Sequence, residues 1–253
     1  MQEILVLYKE IGETPLACME RFRAENGEYY NVPMTYAGRL DPMAEGLLLV
    51  LAGRSVYDKE KYLHLQKVYE CEILLGVETD TYDMLGLPSV GADVKLEEKF
   101  VKEKLAAFVG KYMQKYPPYS SKTLGGIQLH TLAKSGMVTE KDLPMHEVEI
   151  SQIDFGKIEK ISKKELQEKI FTKIAKVEGD FRQTEILKEW ENFFVNAGSA
   201  FQVVSCTIFC SGGTYIRVLA RELGAALGTS AALLSLKRIR VGEYSLADRY
   251  AKL

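Results

Sequence analysis

Tyr36-Ala37-Gly38-Arg39-Leu40-Asp41-Pro42-Met43-Ala44-Glu45-Gly46-Leu47-Leu48-Leu49-Val50 sets one carboxylate, Asp41, on a tight loop between a small-residue turn and an apolar strand. Gly38 and Pro42 bracket the loop, and Gly46 releases it into the run from Leu47 to Ala52. Functional side chains collect on loops that a rigid element positions. A carboxylate fixed in this way, with Arg39 two residues before it, suits covalent or acid/base chemistry. By itself the stretch also reads as an Asp-Pro turn whose carboxylate caps its own backbone. Three segments further along the chain decide between the two.

Outward from this loop, the chain alternates strands and helices without a regular βαβ repeat. Glu3 to Tyr8 reads as a strand, and Pro15 to Asn26 as a helix with proline at its start and Gly27 after its end. A short helix is expected around Tyr57 to Leu65, followed by a strand from Lys67 to Leu75, in which Val68, Cys71, Ile73 and Leu75 are apolar. Residues 76–93 read as a loop, and Glu97 to Phe108 as a helix ending at Gly110. Gln114 to Lys122 is extended, basic and aromatic around Pro117-Pro118, and Leu129 to Ser135 is a short helix. Residues 146–161 read as strand. Residues 163–197 are highly charged, with helical spacing of apolar residues on either side of Gly179-Asp180. A strand from Ala200 to Cys210, a helix from Tyr215 to Leu227 and a strand from Lys237 to Tyr244 complete the pattern. The class is α+β. The expected organisation is a single domain over residues 1–253, with a helical insertion at about 157–199.

The 253 residues are 47% hydrophobic and 27% charged, ordinary values for a globular protein with a sizeable core. No apolar run is long enough to span a bilayer, and the N-terminus has no basic leader, so the expectation is cytoplasmic with no membrane partner. Cys18, Cys71, Cys206 and Cys210 form no C-x-x-C pair, and His64, His130 and His146 stand at no metal-ligand spacing. Buried free thiols and no metal are expected. The net charge is −2, yet residues 111–139 carry four lysines and no acid, and residues 201–253 carry seven basic residues against three acidic ones. Local basic surfaces for RNA therefore remain open on an acidic chain.

Four segments occur in a telling order. They are Gly38-Arg39-Leu40-Asp41-Pro42 through Leu48; Lys67-Val68-Tyr69 with Leu75-Gly76-Val77-Glu78-Thr79-Asp80-Thr81-Tyr82-Asp83; Gln114-Lys115-Tyr116-Pro117-Pro118-Tyr119-Ser120-Ser121-Lys122; and Gly212-Gly213-Thr214-Tyr215-Ile216-Arg217 with Leu236-Lys237-Arg238-Ile239-Arg240-Val241-Gly242. Together they resemble the TruB-type tRNA pseudouridine synthases, relatives of the dyskerin-type enzymes, from about residue 4 to residue 248. The resemblance implies the pseudouridine synthase fold, a mixed and mostly antiparallel sheet flanked by helices and loops with the active-site cleft across it. It also implies an isomerase that detaches uracil from its ribose, rotates it and rejoins it through carbon, without cofactor or metal. The expected substrate is the T-arm stem-loop of tRNA, at its T-loop uridine.

On this resemblance the catalytic residues are Asp41 as nucleophile or ion-pairing carboxylate, Arg217 as its partner, and Tyr69 against the base. Tyr36, Arg39, Leu40, Lys67, Lys122, Tyr215 and Leu236 are the expected substrate-binding residues. A uridine in a stacked loop must be extruded before its glycosidic bond is reachable, and aromatic faces then hold it. The chain departs from the family in three places. Thr35-Tyr36 stands where the family has Gly-His, so Tyr36 would replace that histidine by stacking. Lys9-Glu10-Ile11-Gly12-Glu13-Thr14-Pro15 lacks the proline and serine of the usual N-terminal motif. With the sequence ending at Leu253, the expectation is that the PUA-type C-terminal RNA-binding domain that family members commonly carry is missing. Monomer is the expected state. The same reaction on another RNA loop, and a catalytically silent RNA-binding relative, are the alternatives.

Overall fold

The computed structural model describes residues 2–92 and 94–249. Met1, Asp93 and residues 250–253, with the terminal Leu253, lie outside the described residues. In chain order the elements begin with β1 (Gln2–Lys9), α1 (Pro15–Glu25), β2 (Met34–Tyr36), β3 (Ala44–Gly53), α2 (Lys59–Leu63), β4 (Lys67–Leu75), β5 (Val77–Thr79) and β6 (Pro88–Val90). They continue with α3 (Glu98–Ala106), β7 (Gly110–Lys115), β8 (Thr123–Leu124), β9 (Ile127–Gln128), α4 (Leu129–Lys134) and β10 (Met145–Ser162). The last are α5 (Lys163–Ile174), α6 (Gln183–Asn196), β11 (Ala200–Cys210), α7 (Ile216–Ala226), β12 (Ala231–Val241) and β13 (Tyr244–Ser245).

The main sheet runs β1-β3-β12-β4-β11-β10-β7, with β2 paired to β3 and β13 to β12. Every pairing in it is antiparallel except β12 with β3, where Leu236 lies opposite Ala44 and Arg238 opposite Gly46. This parallel seam brings β12 alongside the start of β3, directly after the Asp41 loop. Side chains alternate across a strand, so consecutive residues feed opposite faces. Ile73, Val204 and Leu233 join α7 (Leu219, Leu223) and α3 (Val101, Leu105) on one face. Leu74, Val203 and Leu234 join α5 (Leu166, Ile170) and α6 (Ile186, Trp190) on the other. A third cluster packs Cys18, Met19 and Phe22 of α1 on Leu5, Leu7, Leu48 and Val50.

Local sequence accounts for the helix ends. Thr14 accepts a hydrogen bond from the Ala17 amide at 3.1 Å and caps α1, which has proline in its first turn. Ser162 and Glu165 form a reciprocal capping box at α5. That cap sets the helical start at Lys163, so residues 157–162 of the expected helical segment belong to β10 and pair with β11.

Two other readings differ from the structure. Residues 76–93, expected as a loop, hold the small β5–β6 sheet. The strand expected to begin at Lys237 begins at Ala231. Ala231-Ala232-Leu233-Leu234 is buried on both faces of a central strand, so it shows no alternation and reads like a continuation of the preceding helix. No helix among the described residues is long and apolar enough to cross a membrane.

Candidate active site

The Asp41 loop rests on buried cations. Lys9, at the end of β1, is 0% exposed, and its ammonium donates to the carbonyls of Ala44 (2.6 Å), Glu10 (3.0 Å) and Pro42 (3.4 Å). Arg238, on β12, donates from Nε to Leu47 O at 2.7 Å, from Nη1 to Arg39 O at 3.2 Å and from Nη2 to Gly38 O at 3.1 Å. Backbone carbonyls on both sides of Asp41 are thus held by side chains from the two strands flanking β3. Gly46 is required where this support is tightest: its φ is +105°, and a Cβ there would lie 2.3 Å from Arg238 O. Burial pushes the Lys9 ammonium down to about 8.

Above this base, Arg217 meets Asp41. Arg217 Nε donates to Asp41 Oδ2 at 2.9 Å, Nη1 to Thr81 O at 2.8 Å and Nη2 to Tyr119 O at 2.8 Å. The Arg217 side chain is 4% exposed and that of Asp41 41%, so a buried cation presents a carboxylate with one face open. Arg217 lies in the first turn of α7, where the helix dipole disfavours a cation and favours an anion. Its placement therefore serves the Asp41 carboxylate and the two carbonyls rather than the helix. Burial lowers the Arg217 pKa, but Asp41 and Asp83 oppose that, and the net direction is up, so the guanidinium stays charged. Asp83 is buried beside it, accepting from Thr81 Oγ1 and the Leu85 amide, each at 2.9 Å, and burial pushes its carboxyl up to about 6.

The other expected residues fall into three groups. Leu40 and Tyr69 are buried in one cluster, with Leu236 half-buried against it. Burial raises the Tyr69 phenol, keeping it protonated. Tyr215 is half-buried, with its ring centroid 5.9 Å from the Arg217 guanidinium, and burial pushes its phenol up to about 12. Half-buried Tyr36 and exposed Arg39 form a platform, with Arg39 Nη1 3.3 Å from the Tyr36 hydroxyl and Lys59 Nζ 5.6 Å from the ring.

Lys122 is exposed, 5.0 Å from the Tyr116 ring, and free to reach a phosphate. Lys67 is not. Its ammonium donates to Leu63 O at 2.5 Å and Leu65 O at 2.6 Å, and it is 3% exposed. Burial, with Arg238 nearby, pushes it down to about 8. Its part is to fix the turn entering β4, because a buried ammonium spent on two backbone carbonyls has no reach to solvent phosphates.

Sequence reading missed Lys9, Arg238, Asp83, Gln114, Tyr116 and Lys59 as parts of this site. Gln114 is fully buried and reads the α7 start: its Oε1 accepts from the Tyr215 amide at 2.8 Å and its Nε2 donates to Tyr215 O at 3.2 Å. The helix has no side-chain cap of its own, and Gln114 supplies one from β7. Tyr116 stacks on His146 with centroids 4.0 Å apart, and both meet the Tyr215 ring edge-on. Only the motif Gln114 to Lys122 hinted at this cluster.

A groove of about 530 Å³ opens beside α5 on the other sheet face, and of the ten expected site residues only Leu236 lines it. Within it Lys169 and Ser235 both donate to Glu72. All four cysteines are free and buried, and no group of three metal-ligating side chains occurs among the described residues.

The arrangement is an open carboxylate on a buried arginine, walled by tyrosines and flanked by exposed cations, chemically suited to nucleophilic or ion-pairing work beside an anionic ligand. Residues 31–173 match the TruB family pseudouridylate synthase N-terminal domain. The chain belongs to that family. It is 28% identical to a tRNA pseudouridine synthase B of Clostridium kluyveri over 99% of this chain and 71% of that protein. It is 26% identical to the enzyme of that name in Parabacteroides distasonis, covering 96% of this chain and 87% of that protein. For the one in Xanthomonas oryzae pv. oryzae the figures are 32%, 89% and 57%. Among solved structures, a Cbf5–Nop10–Gar1 complex contains a chain with a TM-score of 0.58 at 18% identity, over 96% of this chain and 49% of that one. That likeness shows the fold: the α+β pseudouridine synthase architecture.

Proposed function

We propose that this protein isomerises uridine to pseudouridine in tRNA, at the T-loop uridine, position 55. The observation that carries the reading is the Asp41–Arg217 pair, in which Arg217 Nε holds one carboxylate oxygen at 2.9 Å while the Asp41 side chain remains 41% exposed. An arginine bonded in this way fixes the carboxylate and aims it, as attack on the ribose anomeric carbon or stabilisation of its cation requires.

The reaction is redox-neutral and closes within the substrate. The bond from ribose C1′ to uracil N1 breaks, the ring turns, and C1′ joins C5. The C5 proton is lost and N1 gains one. Asp41 meets the ribose. Tyr69 and Tyr215, both held protonated, offer ring faces and hydroxyls to the flipped base, and Leu40 and Leu236 supply apolar wall. Arg217 acts through Asp41. Tyr36, Arg39, Lys59 and Lys122 meet the RNA strand by stacking and by phosphate contact, in keeping with loop recognition by shape and stacking. The reading takes the protein as a monomer acting on the T-arm stem-loop.

The test is tritium release from a T-arm transcript labelled at uracil C5, comparing wild type with Asp41→Asn. Release by wild type and none by the variant, with RNA binding retained within about threefold, is the expected result. Release by Asp41→Asn at the wild-type rate would overturn the assignment.

A further inference from the structure

Two chains of contacts run from the α5–α6 pair to opposite sides of the Asp41–Arg217 pair. On one side the Glu178 amide donates to Gly12 O at 3.1 Å, and the Gly12 amide donates to Pro42 O at 2.8 Å, one residue beyond Asp41. The fit is close: a Cβ at Gly12 would lie 1.9 Å from Lys176 O. On the other side Arg182, which opens α6, reaches across to the far loop. Its Nη2 donates to Asp80 Oδ2 at 2.8 Å, and its guanidinium lies 4.7 Å from the centroid of the Tyr119 ring.

Both partners lead straight to Arg217. The Tyr119 carbonyl accepts from Arg217 Nη2, and the carbonyl of Thr81, next to Asp80, accepts from Nη1. Asp80 is anchored in turn by its Oδ1, which accepts from the Leu87 amide at 2.8 Å, while Trp190 Nε1 donates to Met84 O at 3.2 Å within the same loop. The backbone agrees. Among the described residues the only non-glycine positive φ values are those of Tyr82 (68°) and Arg182 (64°), one at each end of this clasp. An arginine held in the left-handed region is strained, and such strain persists where surrounding structure over-determines it. An ordinary surface ion pair would not need it.

We propose that Arg182 is a positioning residue for the isomerisation. By fixing Asp80 and Tyr119 it holds the two carbonyls that orient the Arg217 fork, and thereby sets the line from Arg217 Nε to Asp41. The helical pair is then a brace for the catalytic centre, through a residue that meets neither base nor ribose. This inference rests on the isomerase reading for its kinetic consequence, and on the contacts above for its structural one.

The experiment uses the full chain with Arg182→Gln, Arg182→Gly, Asp80→Asn and the double variant Arg182→Gln/Asp80→Asn. Tritium release is measured across RNA concentrations, and the exchange of the buried Arg217 Nε–H is followed by ¹⁵N NMR. A small misalignment of a reacting group costs up to about a hundredfold. The expected result is kcat lowered about ten- to hundredfold with KM within about twofold, faster Nε–H exchange, and a double variant no worse than either single one. Arg182→Gly, which relieves the positive φ, separates positioning from folding: it should melt no lower than Arg182→Gln yet lose the same activity. Wild-type kcat and exchange in Arg182→Gln and Arg182→Gly would overturn the proposal, as would a rise in KM at unchanged kcat, the mark of direct RNA contact. If wild type itself released no tritium, the isomerase reading would fall, while Nε–H exchange would still decide the positioning role.

Discussion

Lys9→Met tests whether the Asp41 loop stands on a buried ammonium. The substitution keeps the length and apolar stem of the side chain and removes the donor to Ala44, Glu10 and Pro42 carbonyls. Two effects on stability oppose each other. Of the three bonds only that to the Ala44 carbonyl is buried, and leaving this carbonyl unpaired costs about 1–3 kcal/mol. Against that, Lys9 falls from 10.5 to about 8 in the folded state, and at 1.36 kcal/mol per unit the folded protein bears about 3 kcal/mol for keeping it charged. Their near-cancellation predicts a stability change at pH 7 within about 2 kcal/mol. Activity has no such compensation: a loop whose carboxylate wanders by an ångström loses about a hundredfold in rate.

The pH dependence gives the sharper signature. Because the folded value lies below the unfolded one, between pH 8 and 10.5 the unfolded chain retains a proton that the folded chain has released. Stability therefore rises with pH across that window, by about 3 kcal/mol from this group. Lys67 and Lys173, also depressed to about 8, act equally in wild type and variant. Urea unfolding of both proteins from pH 7 to 10.5 isolates the Lys9 share as the difference between their curves. A difference constant over that range would refute the burial of a charged Lys9, and a variant with wild-type tritium release would refute its support of the loop.

Two further substitutions probe the same framework. Lys67→Met should leave the salt dependence of RNA binding unchanged, since removing a cation that neutralises one phosphate would shift the log–log slope by about 0.7–0.9. A shift of that size would restore Lys67 to the RNA surface. Gly46→Ala places a methyl 2.3 Å from Arg238 O at a φ of +105°. It should cost several kcal/mol in urea denaturation, at least about 1–3 from the backbone alone, and a loss below about 1 kcal/mol would contradict the close packing of β3 on β12.

What the sequence revealed and what it hid divide along physical lines. Asp41 and Arg217 were legible because turn chemistry and a motif fix them locally, and the structure brings them together across 176 residues. The α+β class followed from strands and helices mixed without a regular βαβ repeat. The supports of the loop were illegible. A lysine at the end of a strand, such as Lys9, normally points to water, and only carbonyls brought up from elsewhere make burial tolerable. Arg238 hides for the same reason, since its acceptors lie about 200 residues away. The first half of β12 was lost because a strand buried on both faces carries no alternation to read. Arg182 gave no sign, for its partners lie in two other loops.

The parallel pairing of β3 with β12 has a consequence for the life of the chain on the ribosome. Arg238 and Gly38 are separated by 200 residues, which at bacterial or eukaryotic synthesis speeds is an interval of about 10–40 s. Until β12 emerges, β3 has an unpaired edge and the Asp41 loop lacks Arg238; Arg217 itself arrives only shortly before, with α7. A nascent chain is thus unable to modify RNA, however well its N-terminal half has collapsed. A chain truncated before Arg238 leaves β3 with an exposed sheet edge, open to aggregation and to proteolytic clearance, and the Asp41 loop without the bonds that Arg238 supplies.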